Sequence, residues 1–373
     1  MNNDKSIRMY RLIVFILLWS LCGAVDAQQP GDLYLQAKRI APNTLQSPWA
    51  LVQLPDERWL ITERAGNLVL LGDEPRIKRI PLSLPTLYHA GQGGLLDIAL
   101  AQDFALSGRI LLTFSQGTAD KNHLSVATAV FKNDTISNLN VIFSVTPDKD
   151  TPVHFGGRLA VMNDGTWLVT SGDGFDFREE AQKRSSQLGK ILRIREDGQA
   201  PLDNPFVDTP YIYSYGHRNP QGLVIDDVSG DIYAHEHGPD GGDEINLIQP
   251  GGNYGWPVAT YGLDYSGARI SPFTAYDGMI APLLNWTPSV APSSMILYDG
   301  TLFPMLKNQL LITTLKAQKL IAVDIHAKPV HCREIFATIM QKTRLRDIAV
   351  GNDGAIYILT DGENATVFRI VPL

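Results

Sequence analysis

His154 and Asp173 stand nineteen residues apart, each inside a glycine-rich turn: His154-Phe155-Gly156-Gly157-Arg158 and Ser171-Gly172-Asp173-Gly174. A carboxylate that reaches an imidazole fixes its tautomer and raises its basicity, which is what a general base requires. Taken alone, His154 is equally a satisfied structural histidine, and Asp173 a turn-capping aspartate. Two further clusters follow, Tyr215-Gly216-His217-Arg218-Asn219-Pro220-Gln221-Gly222 and Glu236-His237-Gly238-Pro239-Asp240-Gly241-Gly242-Asp243-Glu244. Glycine lets backbone approach a ligand, and charged groups beside it need a partner or a task. The stretch from Thr151 to Asp264 therefore reads as a cofactor and metal site built on loops.

Cations recur at several distant points. Arg218 offers a planar, permanently charged fork suited to carboxylate, phosphate or quinone oxygens. Arg344 and Arg346 flank Leu345 and so share one face of an extended strand. Lys316 follows another apolar run. Each alone is an ordinary surface charge; converging over one channel, they would hold a polyanionic small molecule. The acidic groups point to a different ligand. Carbonyls at Gly238 and Pro239, with Asp240, Asp243 and Glu244, are hard oxygen donors that favour Ca²⁺. Asp264 lies twenty residues beyond Glu244, with Tyr254 midway. A solvated acidic loop is the alternative. His235 and His237 could bind Zn²⁺, but no third ligand neighbours them. Gly241-Gly242-Asp243-Glu244 looks like a diguanylate cyclase signature, yet the α/β context of that signature is missing. No Gly-x-Gly-x-x-Gly after a strand, P-loop or Gly-x-Ser-x-Gly elbow is present, so nicotinamide, nucleotide and serine-hydrolase chemistry lack support.

The elements that must position these residues are short β-rich runs, with no sustained helical periodicity. Six align: Trp59–Thr62, Ile110–Thr113, Trp167–Thr170, Ile232–His235, Leu310–Thr313 and Ile356–Leu359, starting 51, 57, 65, 78 and 46 residues apart. Several follow an earlier apolar strand that ends in a polar turn, as in Leu159-Ala160-Val161-Met162-Asn163-Asp164-Gly165. Six such repeats of about four strands each predict an all-β, six-bladed β-propeller; a pair of β-sandwiches is the plainer option. The longest interval holds Gly251 to Pro288, irregular chain of the kind that usually serves function. Phe177 to Leu188 is charged enough for a solvated helical loop.

The chain of 373 residues carries 32 Gly and 23 Pro, which suits a fold with many turns, and a net charge of −7, which argues against nucleic acid as a partner. Lys5, Arg8 and Arg11 precede an apolar run from Leu12 to Cys22, and Val25-Asp26-Ala27 supplies small residues for cleavage. The expectation is a signal peptide over 1–27, export to a periplasm without stable membrane insertion, and one propeller domain over 28–373; an uncleaved anchor is the alternative. Only Cys332 would then remain, leaving no intrachain disulfide.

Six motifs in order resemble the soluble, pyrroloquinoline-quinone-dependent aldose sugar dehydrogenases of the glucose/sorbosone dehydrogenase family. They are Gly91-Gln92-Gly93-Gly94-Leu95-Leu96, His154-Phe155-Gly156-Gly157-Arg158, Leu188-Gly189-Lys190-Ile191-Leu192-Arg193, Tyr213 to Gly222, Glu236 to Pro239 with Gly242-Asp243-Glu244, and Asn253-Tyr254-Gly255-Trp256-Pro257. The resemblance, running from about Pro48 to the C-terminus, implies a six-bladed propeller with His154 as the base that deprotonates the anomeric hydroxyl and Asp173 as its orienting carboxylate. It implies Gln92, Arg218 and Asn219 around the quinone oxygens, with Arg218 stabilising the charge that develops on reduction. Lys316, Arg344 and Arg346 would contact the cofactor's carboxylates. The carbonyls of Gly238 and Pro239 would bind a cofactor Ca²⁺, while Glu244, the Tyr254 carbonyl and Asp264 would bind a second, structural Ca²⁺. Aldoses are the implied substrates, with broad specificity because the family's glucose-specific members carry longer loop insertions than this chain. A quinone or cytochrome is the implied electron acceptor, and a monomer or homodimer the implied assembly. Two other classes stay open: a cofactor-free propeller acting as a binding module, and a Ca²⁺-dependent lactonase.

Overall fold

The computed structural model describes residues 35–42, 44–72, 77–335 and 342–373; the expected signal segment lies outside them. Six four-stranded antiparallel sheets, with one two-stranded sheet beside them, make up the β-structure of the described residues. In chain order, blade one is Pro48–Gln53, Trp59–Glu63, Asn67–Leu71 and Ile77–Pro81, and blade two is Leu95–Leu100, Arg109–Gly117, Asn122–Lys132 and Thr135–Ser144. Blade three is Leu159–Val161, Trp167–Ser171, Lys190–Ile194 and Ile212–Tyr215, and blade four is Pro220–Ile225, Ile232–Glu236, Asp243–Ile248 and Leu284–Trp286. Blade five is Pro292–Leu297, Leu310–Thr314, Leu320–Asp324 and His331–Ile335. Blade six takes Leu345–Val350, Ile356–Thr360 and Val367–Pro372 from the C-terminal end, and its outer strand, Leu35–Arg39, from the other end of the chain. First strands neighbour one another in a closed ring, so the propeller stands and the sandwich pair does not.

All six aligned runs are second strands of blades. Five of those strands, Trp59–Glu63, Trp167–Ser171, Ile232–Glu236, Leu310–Thr314 and Ile356–Thr360, are buried at every position. A sheet packed on both faces leaves a continuous apolar run instead of alternation, which is why the repeat was visible. Each buried Leu, Ile or Val there contributes about 1.5–3 kcal/mol of transfer free energy.

The run-ending threonines join neighbouring blades. Thr62 donates to Leu96 O at 2.6 Å and accepts the Ala50 N–H at 3.0 Å. Thr113 repeats this with Gly157 O and Asp97 N–H, and Thr170 with Pro220 O and Arg158 N–H. In blade four His235 takes the equivalent place, and Gly222 makes room for it: a Cβ there would lie 2.2 Å from the imidazole Nε2.

At the axis, the buried Arg158 bonds to Asp97 of blade two (3.2 Å), Asp347 of blade six (3.1 Å), and the Gln221 and Ser293 carbonyls of blades four and five (3.0 Å each). Its guanidinium also lies 4.1 Å from the ring of Trp49, in blade one. The charged segment expected to be helical forms only a short 3-10 turn, Arg178–Gln182. The Lys190 ammonium claims the carbonyls of Glu180, Ala181 and Leu188 that a longer helix would use. Among the described residues no helix is long and apolar enough to cross a membrane.

Candidate active site

The loop entering blade three carries His154, and the loop leaving that blade's second strand carries Asp173. Their side chains meet, with Nδ1 2.7 Å from Asp173 Oδ1, both groups buried. His154 takes a left-handed backbone conformation (φ 53°). Its N–H is held by Gln92 Oε1 at 2.8 Å. Gly172 is required opposite, since a Cβ there would fall 2.2 Å from the His154 carbonyl. Asp173 also accepts from the Phe175 N–H and, through Oδ2, from the Trp256 indole, each at 2.8 Å.

These bonds decide the protonation states. Burial would raise the Asp173 carboxyl, but the bond to His154, the Arg218 charge and the Phe175 N–H outweigh it and hold the group below its ordinary range. Burial holds His154 below its ordinary value despite Asp173 pulling the other way. Asp173 as acceptor places the proton on Nδ1, so a neutral imidazole keeps its lone pair on Nε2. That is the form a base needs.

Arg218 is buried beside this pair. Its Nη1 donates to the carbonyls of His237 (3.1 Å) and Gly238 (2.8 Å), and its carbon lies 5.3 Å from the Trp256 ring centre. Its backbone N–H is bound by Glu236 Oε2 at 2.5 Å, and Glu236 Oε1 lies 2.9 Å from His217 Nδ1.

A cavity of about 280 Å³ opens on the axis, and its lining includes Gln92, Asn219, His237, Arg64, Arg344 and Arg346. Its charged lining is three guanidinium groups against one carboxylate, Asp361, which both Arg344 and Arg346 grip at 2.7–2.8 Å. Burial and the neighbouring Arg346 charge push Arg64 down. Asn219 Oδ1 accepts the Gly156 N–H at 3.1 Å, tying the His154 loop to the strand that follows Arg218. The structure thus brings four expected cofactor residues, Gln92, Asn219, Arg344 and Arg346, to one cavity. Of the other two, Arg218 lines the second pocket instead, and Lys316 is exposed and does not line the cavity, although its neighbour Leu315 does.

A second pocket of about 10 Å³, room for one ion or water, is lined by Gly238, Glu244 and Tyr254 together with Arg218 and Glu236. Burial and the Glu236 charge raise Glu244 well above its ordinary value. Glu244 has no ion-pair partner among the described residues, and the buried Oδ1 of Asn246, whose amide donates to both glutamates, has no hydrogen-bond partner. These are groups a cation would satisfy. Pro239 and Asp264 do not line this pocket. The Asp264 carboxylate instead closes a turn onto Ser266 (3.0 and 2.8 Å) and lies 3.8 Å from Arg178. No cluster of three or more His, Cys, Asp or Glu side chains suited to a metal occurs among the described residues, so any metal here would need backbone oxygens as well.

Sequence reasoning missed several members of the site. Trp256 carries no local signal for its role, because its bond to Asp173 spans 83 residues. Lys149 was passed over. Its buried ammonium lies 3.5 Å from the Phe155 ring centre and bonds to Thr151 O, and burial lowers it to about 7 despite the nearby Asp173 and Asp150 charges. Asp361 follows Thr360 much as Asp173 follows a strand end, which was the available signal.

Comparison with known proteins agrees with this geometry. The family described as Glucose / Sorbosone dehydrogenase matches residues 45–369. Aldose sugar dehydrogenase YliI of Escherichia coli K12 is 35% identical over 343 residues, covering 89% of this chain and 92% of that protein. The apo-form crystal structure of the soluble aldose sugar dehydrogenase from Escherichia coli superposes with a TM-score of 0.86 at 35% identity, covering 91% of this chain and all of that one. The PQQ-bound aldose sugar dehydrogenase of Streptomyces coelicolor gives a TM-score of 0.74 at 26% identity, over 90% and 98% of the two chains.

Proposed function

The chain belongs to the glucose/sorbosone dehydrogenase family of oxidoreductases, and from that premise we propose that it oxidises the C1 hydroxyl of aldose sugars to lactones with pyrroloquinoline quinone as cofactor. The observation that carries this is the His154–Asp173 bond beside an axial cavity rich in guanidinium groups. Arg344, Arg346 and Arg64 suit a small, planar polycarboxylate, and Gln92 and Asn219 add amide groups at the wall. The bound quinone supplies the hydride acceptor. His154 Nε2 takes the proton of the anomeric hydroxyl, and ionised Asp173 stabilises the imidazolium that results. Arg218, fixed by two carbonyls and Glu236, holds positive charge beside the base. Electrons then leave to a quinone or cytochrome-type acceptor, and the basic, apolar N-terminal stretch favours a periplasmic setting.

For calcium, the Gly238 and Pro239 carbonyls would serve the cofactor site, and Glu244 with the Tyr254 carbonyl the second. In this structure the Gly238 carbonyl already accepts Arg218, whereas Glu244 in the second pocket has no ion-pair partner among the described residues. Asp264 would join it only by leaving its turn.

The deciding experiment is a dye-reduction assay on purified apoprotein with glucose, before and after adding pyrroloquinoline quinone and Ca²⁺. Activity should appear only on reconstitution; none with any aldose would overturn the proposal. Chelation should lower the melting temperature of the apoprotein by mass action on the native state, and a melting curve indifferent to both chelator and added Ca²⁺ would remove the Glu244 site.

A further inference from the structure

Two large aromatic side chains are left in water directly beside the base. Phe175 is 41% exposed and Tyr265 is 64% exposed. Their rings stack, with centroids 6.2 Å apart and planes 17° from parallel. Phe175 also meets the His154 ring edge-on, at 5.2 Å and 78°. The Tyr265 hydroxyl reaches to 3.5 Å from Arg218 Nη2. The pair thus spans from the imidazole to the guanidinium, the two side chains that the proposed reaction uses.

The chain goes to some length to hold these rings there. Phe175 has φ 71°, a left-handed conformation uncommon for a bulky side chain, and its N–H is bound to Asp173 Oδ1. The turn that orients the base therefore also aims an aromatic ring outward. Tyr265 sits between Asp264 and Ser266, whose mutual bonds close its turn. The Asp264–Arg178 contact links the Tyr265 turn to the segment just after Phe175. A hydrophobic ring kept exposed at a polar site, against its own burial, marks a binding surface.

We propose that Phe175 and Tyr265 form the platform on which the aldose ring stacks while its C1 hydroxyl faces His154; this rests on the sugar dehydrogenase reading above. A pyranose presents C–H groups of slight positive charge on one face, and an aromatic ring presents a negative quadrupole to receive them. The sugar's hydroxyl groups remain in water at the rim. Such a platform reads ring shape more than any single hydroxyl, and so accepts several aldoses.

The test uses methyl glucoside, which has no free anomeric hydroxyl to oxidise. Saturation-transfer NMR, with and without added cofactor, should show contact from the protein to the pyranose ring protons. The contact should vanish in the Phe175→Ala, Tyr265→Ala double variant and persist in Phe175→Trp. In the reconstituted enzyme the double variant should raise KM for glucose roughly three- to tenfold, leaving kcat and the cofactor titration unchanged. An active wild type whose double variant keeps both KM and the NMR contact overturns the platform and leaves the dehydrogenase reading intact. So does a fall in kcat alone, which would make the rings a shield for His154. A wild type that oxidises no aldose after reconstitution defeats the dehydrogenase reading instead, and the glycoside contact still decides the platform.

Discussion

Arginines stand in two places around the axis, under opposite conditions. Arg158, behind the Trp49 and Gln221 walls of the cavity, has every neighbour it needs: two carboxylates, two carbonyls and an indole face, with its side chain 7% exposed. At the rim, Arg344 and Arg346 share the single carboxylate Asp361, and Arg64 adds a third charge to the same cavity. A guanidinium whose donors are consumed by four other blades, with an indole from a fifth against its face, is a structural pin. A cluster with positive charge to spare awaits an anion. His154 combines the two conditions: it is buried like the pin, while its Nε2 has no hydrogen-bond partner among the described residues.

The largest expected effect falls on that intermediate case. His154→Ala should lower turnover by roughly 10²–10⁴-fold and leave cofactor binding in place, because only the proton acceptor is removed. Loss of cofactor binding in step with turnover would move His154 to the rim class. Its acid limb sharpens the same point. Burial holds the imidazole below the ordinary range near 6.5, so wild-type activity should persist below that pH.

The hub and rim should separate next. Arg158→Ala strands two buried carboxylates and should cost about 3–5 kcal/mol of stability, read by denaturant unfolding. Arg344→Ala, whose guanidinium is 49% exposed and leaves Asp361 paired with Arg346, should cost no more than ~1 kcal/mol, and should weaken cofactor affinity instead. A stable Arg158 variant, or a rim variant that melts early with its cofactor affinity intact, would erase the distinction.

What the sequence made legible follows from the same contrast. Second strands buried on both faces announce themselves as apolar runs, so all six blades could be counted from Trp59, Ile110, Trp167, Ile232, Leu310 and Ile356. The base and its carboxylate were legible because they share one blade and lie nineteen residues apart. Contacts made by ring closure were not. Arg158 meets Asp347 across 189 residues, and the outer strand of blade six comes from residues 35–39. Nothing local in Arg158 distinguishes a hub from a surface charge. Asp264 shows the converse: it lies twenty residues beyond Glu244 in sequence, while in the structure its carboxylate bonds within its own Asp264–Ser266 turn.

The smallest effect distinguishes the two regions by the sign of their response to pH. Burial, with the Asp347 charge adding and Arg158 opposing, raises hub Asp97 to about 6. Rim Asp361 goes the other way, since Arg346 and Arg344 outweigh its burial and hold it low. For Asp97 the folded state binds more protons than the unfolded state between pH ~4 and ~6, so stability falls as pH rises through that window. For Asp361 the unfolded state binds more protons, so its contribution is lost as pH falls. Asp97→Asn removes the first titration alone. The stability of wild type relative to that variant should therefore decline between pH ~4 and ~6, by on the order of 1–3 kcal/mol, and stay level above ~7. A difference that is flat across the whole range would mean that Arg158 keeps Asp97 fully ionised, and the hub would then be a triad of one cation and two carboxylates with no proton held at its centre.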